Sequence, residues 1–420
     1  MIKTLKSSNT LGYLFASIAL IFPIVGFIAP KGITLLAIST SLFGFIILKI
    51  QNRKINFLGR PFIILFLLFA LWSLITSFWA PNILSASIGS LKLLGNFLVG
   101  ATLFSVLNSV DLKERKLILR SLSIGFFITL GLIAIEIIFE SPINIFLKSV
   151  HTGQLKTDGI FLKGAFWLNS SIVNLSLIMW VLFCCWLNRD SIKTGFKNSV
   201  SIVIGFVLVL LTSYLIGYIT GIVALLFGLI GWLGILVFRK KAIIALAVIF
   251  IINVVLLPTV INKIKNFEIT VTNIISLPIS AVHRIKIWEF TAKKISERPV
   301  LGWGMNASKH LPDGKSTVYS ASGTILGEVL PLHPHNLIFQ IWLELGFVGI
   351  LIFLCLGYCF LKVTQQGVKS EPVKAIILGQ FMTFFIVASL SFGLWQAWWL
   401  CVAWFVASFM KLALTLDGYE

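Results

Sequence analysis

About twelve apolar runs, each of roughly 18 to 24 residues, divide this 420-residue chain and constrain its fold more than any other feature. A helix of that length crosses the hydrocarbon core of a bilayer, because it satisfies its own backbone hydrogen bonds. The sequence therefore predicts an all-α polytopic membrane protein with about 12 transmembrane helices. The runs lie at about 11–29, 33–50, 61–79, 91–109, 117–139, 168–187, 199–216, 220–238, 242–260, 337–361, 375–393 and 396–414.

The charge pattern also fits a membrane protein. The chain is 58% hydrophobic and 12% charged, with a net charge of +19, whereas soluble domains average about 25% charged residues. Such a positive excess in a soluble protein would indicate a nucleic-acid partner. Here the cations lie in short segments between apolar runs, as the positive-inside rule predicts, so we expect no nucleic-acid partner.

The distribution of Lys and Arg gives an orientation. With the N-terminus placed in the cytoplasm, twenty of the 34 cations fall in inside segments, five in short outside segments and nine in one long outside loop, 261–336. Long loops are exempt from the rule. The sequence thus predicts a multi-pass protein with both termini in the cytoplasm. It also predicts a single transmembrane domain, 1–420, into which the loop is inserted.

The long loop lies between the ninth and tenth predicted spans, and its composition is not that of a disordered segment. Loops of this length in compact proteins are usually functional or disordered. From Arg284 to Arg298 the residues follow a helical period. This period places four apolar residues on one face, namely Ile285, Trp288, Ala292 and Ile295. We predict a partly helical loop whose amphipathic helix either covers the end of the bundle or lies on lipid headgroups.

Two side chains of this loop suit chemistry at a membrane surface. His335 belongs to a His-Pro-His-Asn sequence just before the tenth span, and an imidazole is able to act as a base near neutral pH. Arg284 is able to hold a phosphate by charge-assisted hydrogen bonds. A single histidine near a helix start is also a common structural residue, and His310 and His333 lie in the same loop.

A second polar feature is the pair Glu136 and Glu140, spaced one helical turn apart near the outer end of the fifth span. Acidic residues close to lipid are costly and are often functional. We expect them either to pair with Lys156 or Lys163 in the next outer segment or to lie at the membrane interface.

Several catalytic motifs do not occur in the sequence. It lacks the phosphate-binding loop G-x-x-x-x-G-K-[ST], the nucleophile elbow G-x-S-x-G, the zinc motif H-E-x-x-H and a D-x-D pair. We therefore expect no cofactor and no metal site.

Two stretches resemble the O-antigen ligase family, a superfamily of bacterial inner-membrane ligases and polymerases. Arg284-x-x-x-Trp288 followed by Pro299-x-x-Gly-x-Gly304 is similar to a signature that ligases and polymerases share. His335-Asn336, nine residues and then Gly346-x-x-Gly349 is similar to a pattern more specific to ligases. The motifs cover about 65 residues, and the topology of twelve spans with a large loop after the ninth is similar over the whole chain.

The resemblance implies a fold of the glycosyltransferase type C class and a large periplasmic loop. It implies inverting, metal-independent transfer of a glycan from undecaprenyl diphosphate to lipid A–core oligosaccharide in the inner membrane. His335 would then activate the acceptor hydroxyl, and Arg284 would hold the diphosphate. Trp288, Asn336, Gly346 and Gly349 would be structural residues of the motif. We expect Asn336 to cap the tenth span, and Gly346 and Gly349 to allow close helix packing.

The sequence departs from the family in one respect. Ligases generally carry a further arginine before the sixth span, where this chain has only lysines, and Lys163 is the predicted substitute. We also count Lys286 among the predicted donor-binding cations. A polysaccharide polymerase acting on lipid-linked repeat units is the main alternative function, and a transporter or flippase is the other.

Overall fold

A computed structural model describes residues 10–152, 166–187, 199–264, 267–272, 277–320 and 323–416. The described residues are almost entirely helical, which confirms the predicted fold class. The helices are α1 (Thr10–Ile28), α2 (Gly32–Ile50), α3 (Arg60–Ile75), α4 (Ile83–Leu107), α5 (Leu112–Ile138), α6 (Pro142–Thr152), α7 (Asn169–Leu187), α8 (Ser199–Leu215), α9 (Ile219–Phe238), α10 (Lys240–Lys263), α11 (Phe267–Thr272), α12 (Ile279–Glu297), α13 (Leu337–Gly367), α14 (Glu371–Leu390) and α15 (Ala397–Leu414).

Within the described segments, 11 helices are long and apolar enough to cross a membrane. The shorter helix α8, with 17 residues, occupies the remaining predicted span. Short 3₁₀ turns lie at Thr76–Trp79, Phe166–Leu168 and Ala307–Lys309, and the long loop also contains a two-stranded antiparallel hairpin, β1 (Thr317–Tyr319) with β2 (Ile325–Glu328).

The helix ends gather on two faces of the bundle. On one face, which we call the loop face, the indole of Trp79 donates to the carbonyl of Gly302, and the phenol of Tyr218 contacts Ser391. The opposite face includes an ion pair of 2.6 Å between Arg53 and Glu114. The segments that the charge rule assigns to one side thus lie together, as alternating spans require.

The bundle is built around α7, which is buried along most of its length. Its Trp180 donates a hydrogen bond of 2.9 Å to Thr383 on α14. At that level α9 and α14 approach closely at Gly228 and Gly379, where an added Cβ would meet the backbone of the other helix. Small residues at a crossing let backbones come together, which is the usual way that membrane helices pack.

Two predicted spans differ in detail. The fourth helix begins at Ile83 rather than near residue 91, because the Asn82 side chain caps it by accepting from Ser85 N. Helix α13 is not continuous. Gly346 has φ +63° and ψ −163°, which breaks it into a buried segment of residues 337–345 and a longer span of residues 347–367.

The predicted amphipathic helix is present as α12, and it packs against α10 and α13. Ile285, Ala292 and Ile295 are buried, as the helical period predicts. Helix α12 thus covers the loop-face end of the bundle, and its place against a lipid surface stays a prediction.

Candidate active site

Trp288 joins α12 to the segment that carries His335. Its indole N–H donates a 3.0 Å hydrogen bond to the carbonyl of Pro334, and its ring stacks on Phe339 with centroids 6.1 Å apart. Arg284 lies one helical turn before Trp288, on the same face of α12. The spacing Arg-x-x-x-Trp therefore brings the guanidinium close to the imidazole.

The imidazole of His335 is held in a defined tautomer. Its Nδ1 lies 2.8 Å from the carbonyl oxygen of Ser391, and because a carbonyl only accepts, Nδ1 carries the proton. Nε2 then has a free lone pair. The backbone of His335 has φ +52°, and its N–H donates to Nδ1 of His333 at 3.2 Å. This left-handed conformation turns the imidazole toward the end of α14.

Electrostatics keep this imidazole neutral. Burial lowers the pKa of His335 below its ordinary value, the hydrogen bond to Ser391 opposes that shift, and the nearby Arg284 and His283 reinforce it. Burial, together with His335 and Lys309, lowers the pKa of the neighbouring His333 to about 3. Both rings are therefore neutral at pH 7, and His335 is able to accept a proton.

Tyr218 and Ser391 complete what we call the cleft, defined as Arg284, His335, Tyr218 and Ser391. The Tyr218 oxygen lies 2.7 Å from the Ser391 hydroxyl. Burial raises the pKa of Tyr218 to about 12, although Ser391 and the charge of Arg284 oppose the rise. The phenol is thus protonated at neutral pH and serves as a hydrogen-bonding group rather than an anion.

Arg284 has no carboxylate partner among the described residues. Its only hydrogen bond there is a long one, 3.5 Å, from Nη1 to the carbonyl of Ser280. Burial lowers the pKa of Arg284 and the neighbouring Tyr218 raises it, but an arginine remains charged at neutral pH. A partly buried cation with most of its donors unused is a site for an anion.

An apolar cavity of about 670 Å³ leads up to the cleft. Trp288, Asn336 and Ser389 line its upper end, and Ile243 and Leu361 line its far end near the opposite face. Helices α9, α10, α13 and α14 supply most of its other side chains. Its length and apolar lining suit a hydrocarbon chain that lies along the bundle.

The Pro-x-x-Gly-x-Gly turn packs into the break of α13, and we call this contact the junction, residues 299–304 with residues 344–346. The N–H groups of Trp303 and Gly304 donate to the carbonyls of Leu343 and Glu344. A Cβ at Gly302 or at Gly346 would meet backbone atoms of the other segment. The two sequence motifs are therefore two halves of one structural unit.

Glu344 fixes the junction from inside. Its two carboxylate oxygens accept from Ser308 Oγ, Asn306 N at 2.8 Å and Trp395 Nε1 at 2.7 Å, with Gln340 Nε2 more distant at 3.4 Å. A buried carboxylate is tolerated when its lone pairs are satisfied in this way. The role of Glu344 is thus to tie α13, the loop and the α14–α15 turn together.

The other predicted site residues have varied positions. Lys163 lies outside the described residues, and Lys156 does as well. Lys286 lies 3.5 Å from Glu289 on its own helix. Asn336 caps α13 by accepting from the N–H groups of Ile338 and Phe339, as expected.

The predicted packing role is wrong for Gly346 and incomplete for Gly349. Gly346 breaks α13, because its φ and ψ belong to a region that only glycine adopts readily. At Gly349 an added Cβ would meet the side chain of Leu345, on the far side of the break. Both glycines serve the bend of α13 rather than a contact between separate helices.

Glu136 does not have the predicted interfacial position, and its predicted pairing with Lys156 or Lys163 concerns residues outside the described ones. It is fully buried rather than interfacial, and its Oε1 accepts from the N–H groups of Ile143 and Asn144 at the start of α6. Glu140 is exposed, so the two glutamates do not form a pair of equivalent groups.

Sequence reasoning missed Tyr218, Ser391 and Lys309. Tyr218 and Ser391 lie in short turns between spans and belong to no spaced motif. Lys309 is an exposed cation close enough to His333 to lower its pKa. The one sequence feature that pointed to Lys309 is its position in the loop, between the two motifs.

The fold and the cleft define a polytopic membrane protein with a neutral imidazole at one face, beside a guanidinium that has no carboxylate partner in the described part of the chain. Comparison with known families sharpens this class. Residues 200–354, which include α12, the junction and His335, match the family model described as O-antigen ligase. A Rickettsia conorii protein named "Putative polysaccharide ligase" is 30% identical over 354 residues, covering 84% of this chain and 79% of the relative. The chain therefore belongs to the O-antigen ligase family, a family of membrane enzymes.

Other relatives match shorter parts of the chain. A Rickettsia felis protein of the same name is 36% identical over 172 residues, covering 41% of this chain and 42% of the relative. A Rickettsia prowazekii relative, also named as a polysaccharide ligase, is 40% identical over 138 residues, covering 33% of this chain and 34% of the relative. All three names contain the words "polysaccharide ligase".

Proposed function

We propose that this protein is an O-antigen ligase. It transfers a polysaccharide from undecaprenyl diphosphate to lipid A–core oligosaccharide at the periplasmic face of the bacterial inner membrane, with both termini in the cytoplasm. The observation that carries the proposal is the arrangement of the cleft. A neutral imidazole and a guanidinium, which has no carboxylate partner among the described residues, lie beside Trp288 and Asn336, and these two residues line one end of an apolar cavity.

The donor would enter from the bilayer. The polyprenyl chain occupies the apolar cavity, and the diphosphate binds the guanidinium of Arg284, whose unused donors match phosphate oxygens in a bidentate arrangement. Lys309 is a second cation for the diphosphate, because it lies close enough to the cleft to lower the pKa of His333. Lys163 and Lys286 stay predicted donor contacts, although the pairing of Lys286 with Glu289 favours Arg284 over it.

The transfer needs one proton acceptor and one leaving-group stabiliser. Nε2 of His335 takes the proton of the acceptor hydroxyl while that oxygen attacks the anomeric carbon of the donor sugar. The bond from this carbon to the diphosphate oxygen breaks on the opposite side, so the configuration inverts. Arg284 stabilises the charge that develops on the leaving diphosphate. A lipid diphosphate is already a good leaving group, so the step does not require a metal.

The polymerase alternative uses the same cleft on a growing lipid-linked chain. A deletion strain separates the two functions by its lipopolysaccharide profile. We expect loss of all long chains from lipopolysaccharide while full-length polymer stays on the lipid carrier. Lipopolysaccharide that carries single repeat units would instead indicate a polymerase and contradict the proposal.

Complementation of that strain tests the residues. The wild-type chain should restore long-chain lipopolysaccharide, and Arg284→Ala and His335→Ala should not, at equal membrane levels. Lys293→Ala, an exposed cation on the same helix, is the matched control and should restore it. Transfer by purified protein without any ion gradient would exclude a transporter.

A further inference from the structure

A second cavity opens on the loop face, and its lining differs from that of the apolar cavity. It has a volume of about 530 Å³ and lies between the outer ends of α1, α5 and α7 and the turn before α15. Its lining includes Glu136, Asn144, Gln396, Trp398 and Phe392. We call it the glutamate pocket.

The polar groups of the glutamate pocket are incompletely satisfied. Glu136 is fully buried, and while its Oε1 caps α6, its Oε2 has no hydrogen-bond partner among the residues that the structure describes. Within the same described segments, the buried amide nitrogen of Asn144 also has no partner. An unpartnered buried carboxylate oxygen is costly, so such groups usually face a ligand or ordered water. The pocket thus offers one strong acceptor and one donor side by side.

The rest of the lining suits a ring with an apolar face. Phe392 and Trp398 pack edge to face with centroids 4.8 Å apart. The indole of Trp398 donates to Gln396 Oε1 at 3.0 Å, which leaves the amide nitrogen of Gln396 to donate elsewhere. Lys31 also lines the pocket, so its two charged lining residues, Lys31 and Glu136, are of opposite sign. Aromatic walls with a few placed hydrogen-bonding groups and no net charge match a neutral polyhydroxylated ring.

The pocket and the cleft share one turn of the chain. The carbonyl of Ser391 holds the imidazole of His335, and the next residue, Phe392, lines the glutamate pocket. Gly393 lies against His333, since an added Cβ would come within 2.7 Å of that ring. A ligand in the pocket therefore lies near His335, and the turn that begins at Ser391 separates the two.

We propose that the glutamate pocket is a saccharide subsite, in which Glu136 and Asn144 bind hydroxyl groups of a sugar ring and Phe392 and Trp398 contact its apolar face. The inference rests on the proposed function, because it identifies the ring as part of one of the two glycans that meet at the cleft. A hydroxyl both donates and accepts, so vicinal hydroxyls satisfy Oε2 of Glu136 and the amide of Asn144 together.

The test compares Glu136→Gln and Asn144→Ala with Glu140→Gln in the full-length protein in nanodiscs. Glutamine keeps an oxygen to cap α6, and Glu140 is an exposed glutamate one turn further along the chain. Transfer is measured while the lipid-linked donor and the acceptor glycolipid are varied in turn. We expect Glu136→Gln and Asn144→Ala to raise KM for one of the two about tenfold with little change in kcat, and Glu140→Gln to match wild type.

The substrate whose KM rises identifies the occupant as an acceptor sugar or a donor sugar. If both KM values match wild type while Arg284→Ala abolishes transfer, the subsite is refuted and the proposed function stands. Equal thermal unfolding of the variants and wild type excludes a folding defect.

A binding measurement separates the two proposals when no transfer is found. Saturation-transfer NMR uses core oligosaccharide released from lipopolysaccharide and repeat-unit glycan released from its lipid. Transfer of saturation to either glycan, lost in Glu136→Gln, supports the subsite without any activity. No saturation transfer from wild-type protein to either glycan would overturn it.

Discussion

The junction and the cleft lie side by side on the loop face and contain the same sequence motifs, but their polar groups are used differently. At the junction every oxygen of the Glu344 carboxylate accepts from the protein itself. In the cleft, His335 uses one ring nitrogen for the protein and leaves the other free, and Arg284 makes one weak hydrogen bond. Satisfied groups hold a structure together, whereas groups satisfied on one side only are available to a substrate.

The sharpest test of this difference removes the available groups. We expect His335→Ala and Arg284→Ala each to lower the transfer rate about a thousandfold, since a base and a charge stabiliser are lost. The unfolding temperature should fall only slightly, because each variant loses a single hydrogen bond, to Ser391 or to Ser280. His310→Ala, an exposed histidine of the same loop, is the control. Near-normal rates in both variants would refute the assignment of the cleft.

At the junction we expect a substitution to lower the amount of folded protein. Gly346→Ala places a Cβ about 2.3 Å from the carbonyl of Val300 at a backbone conformation that other residues avoid, and the cost is several kcal/mol. We expect the amount of folded protein in the membrane to fall. The measurement is the fluorescence of a fusion to a fluorescent protein that remains after extraction in detergent. Gly357→Ala on the same helix meets only Phe250 at 3.5 Å and should leave the amount unchanged. Normal levels of folded Gly346→Ala would show that the break is not required.

Trp288 and Trp303 offer a finer comparison, because each indole donates one hydrogen bond between α12 and its surroundings. Trp288 reaches the carbonyl of Pro334 beside His335, and Trp303 reaches the carbonyl of Lys294. Phenylalanine at either position loses about 1 kcal/mol of stability. We expect only Trp288→Phe to lower kcat, by about tenfold, because only this bond positions the imidazole. Equal losses of kcat would remove the distinction.

The pH dependence of transfer gives the smallest expected effect. His335 must be neutral to accept a proton, and its pKa is lowered, so the neutral form persists below the ordinary histidine value of about 6.5. The rate should therefore be constant above pH 6.5 and should fall only at more acidic pH. If kcat/KM had already fallen to half its maximum before the pH was lowered to 6.5, the result would contradict a lowered pKa of His335.

The sequence predicted the spans and the two motif residues that meet in the cleft. Long apolar runs are a strong signal, because a bilayer requires both their length and their composition. The period of α12 was equally clear, and its buried face is the predicted one.

What the sequence could not predict depends on contacts between distant segments. Tyr218 and Ser391 lie 173 positions apart and meet only through folding. The break at Gly346 has no signal of its own, because a glycine that packs and a glycine that bends a helix look alike in one sequence. The interfacial position predicted for Glu136 was wrong, because its described partners are backbone N–H groups, which every residue except proline supplies.

The turn between α14 and α15 has a consequence for how the chain matures. It supplies Ser391 to His335, the N–H of Leu394 to Gln340 and the indole of Trp395 to Glu344. These residues leave the ribosome after everything else in the two regions has been inserted. A nascent or truncated chain without them has a buried glutamate short of a donor and an imidazole with no fixed tautomer. We therefore expect the proposed activity to require completion of the last helical hairpin, and we expect unfinished copies to be inactive and prone to degradation.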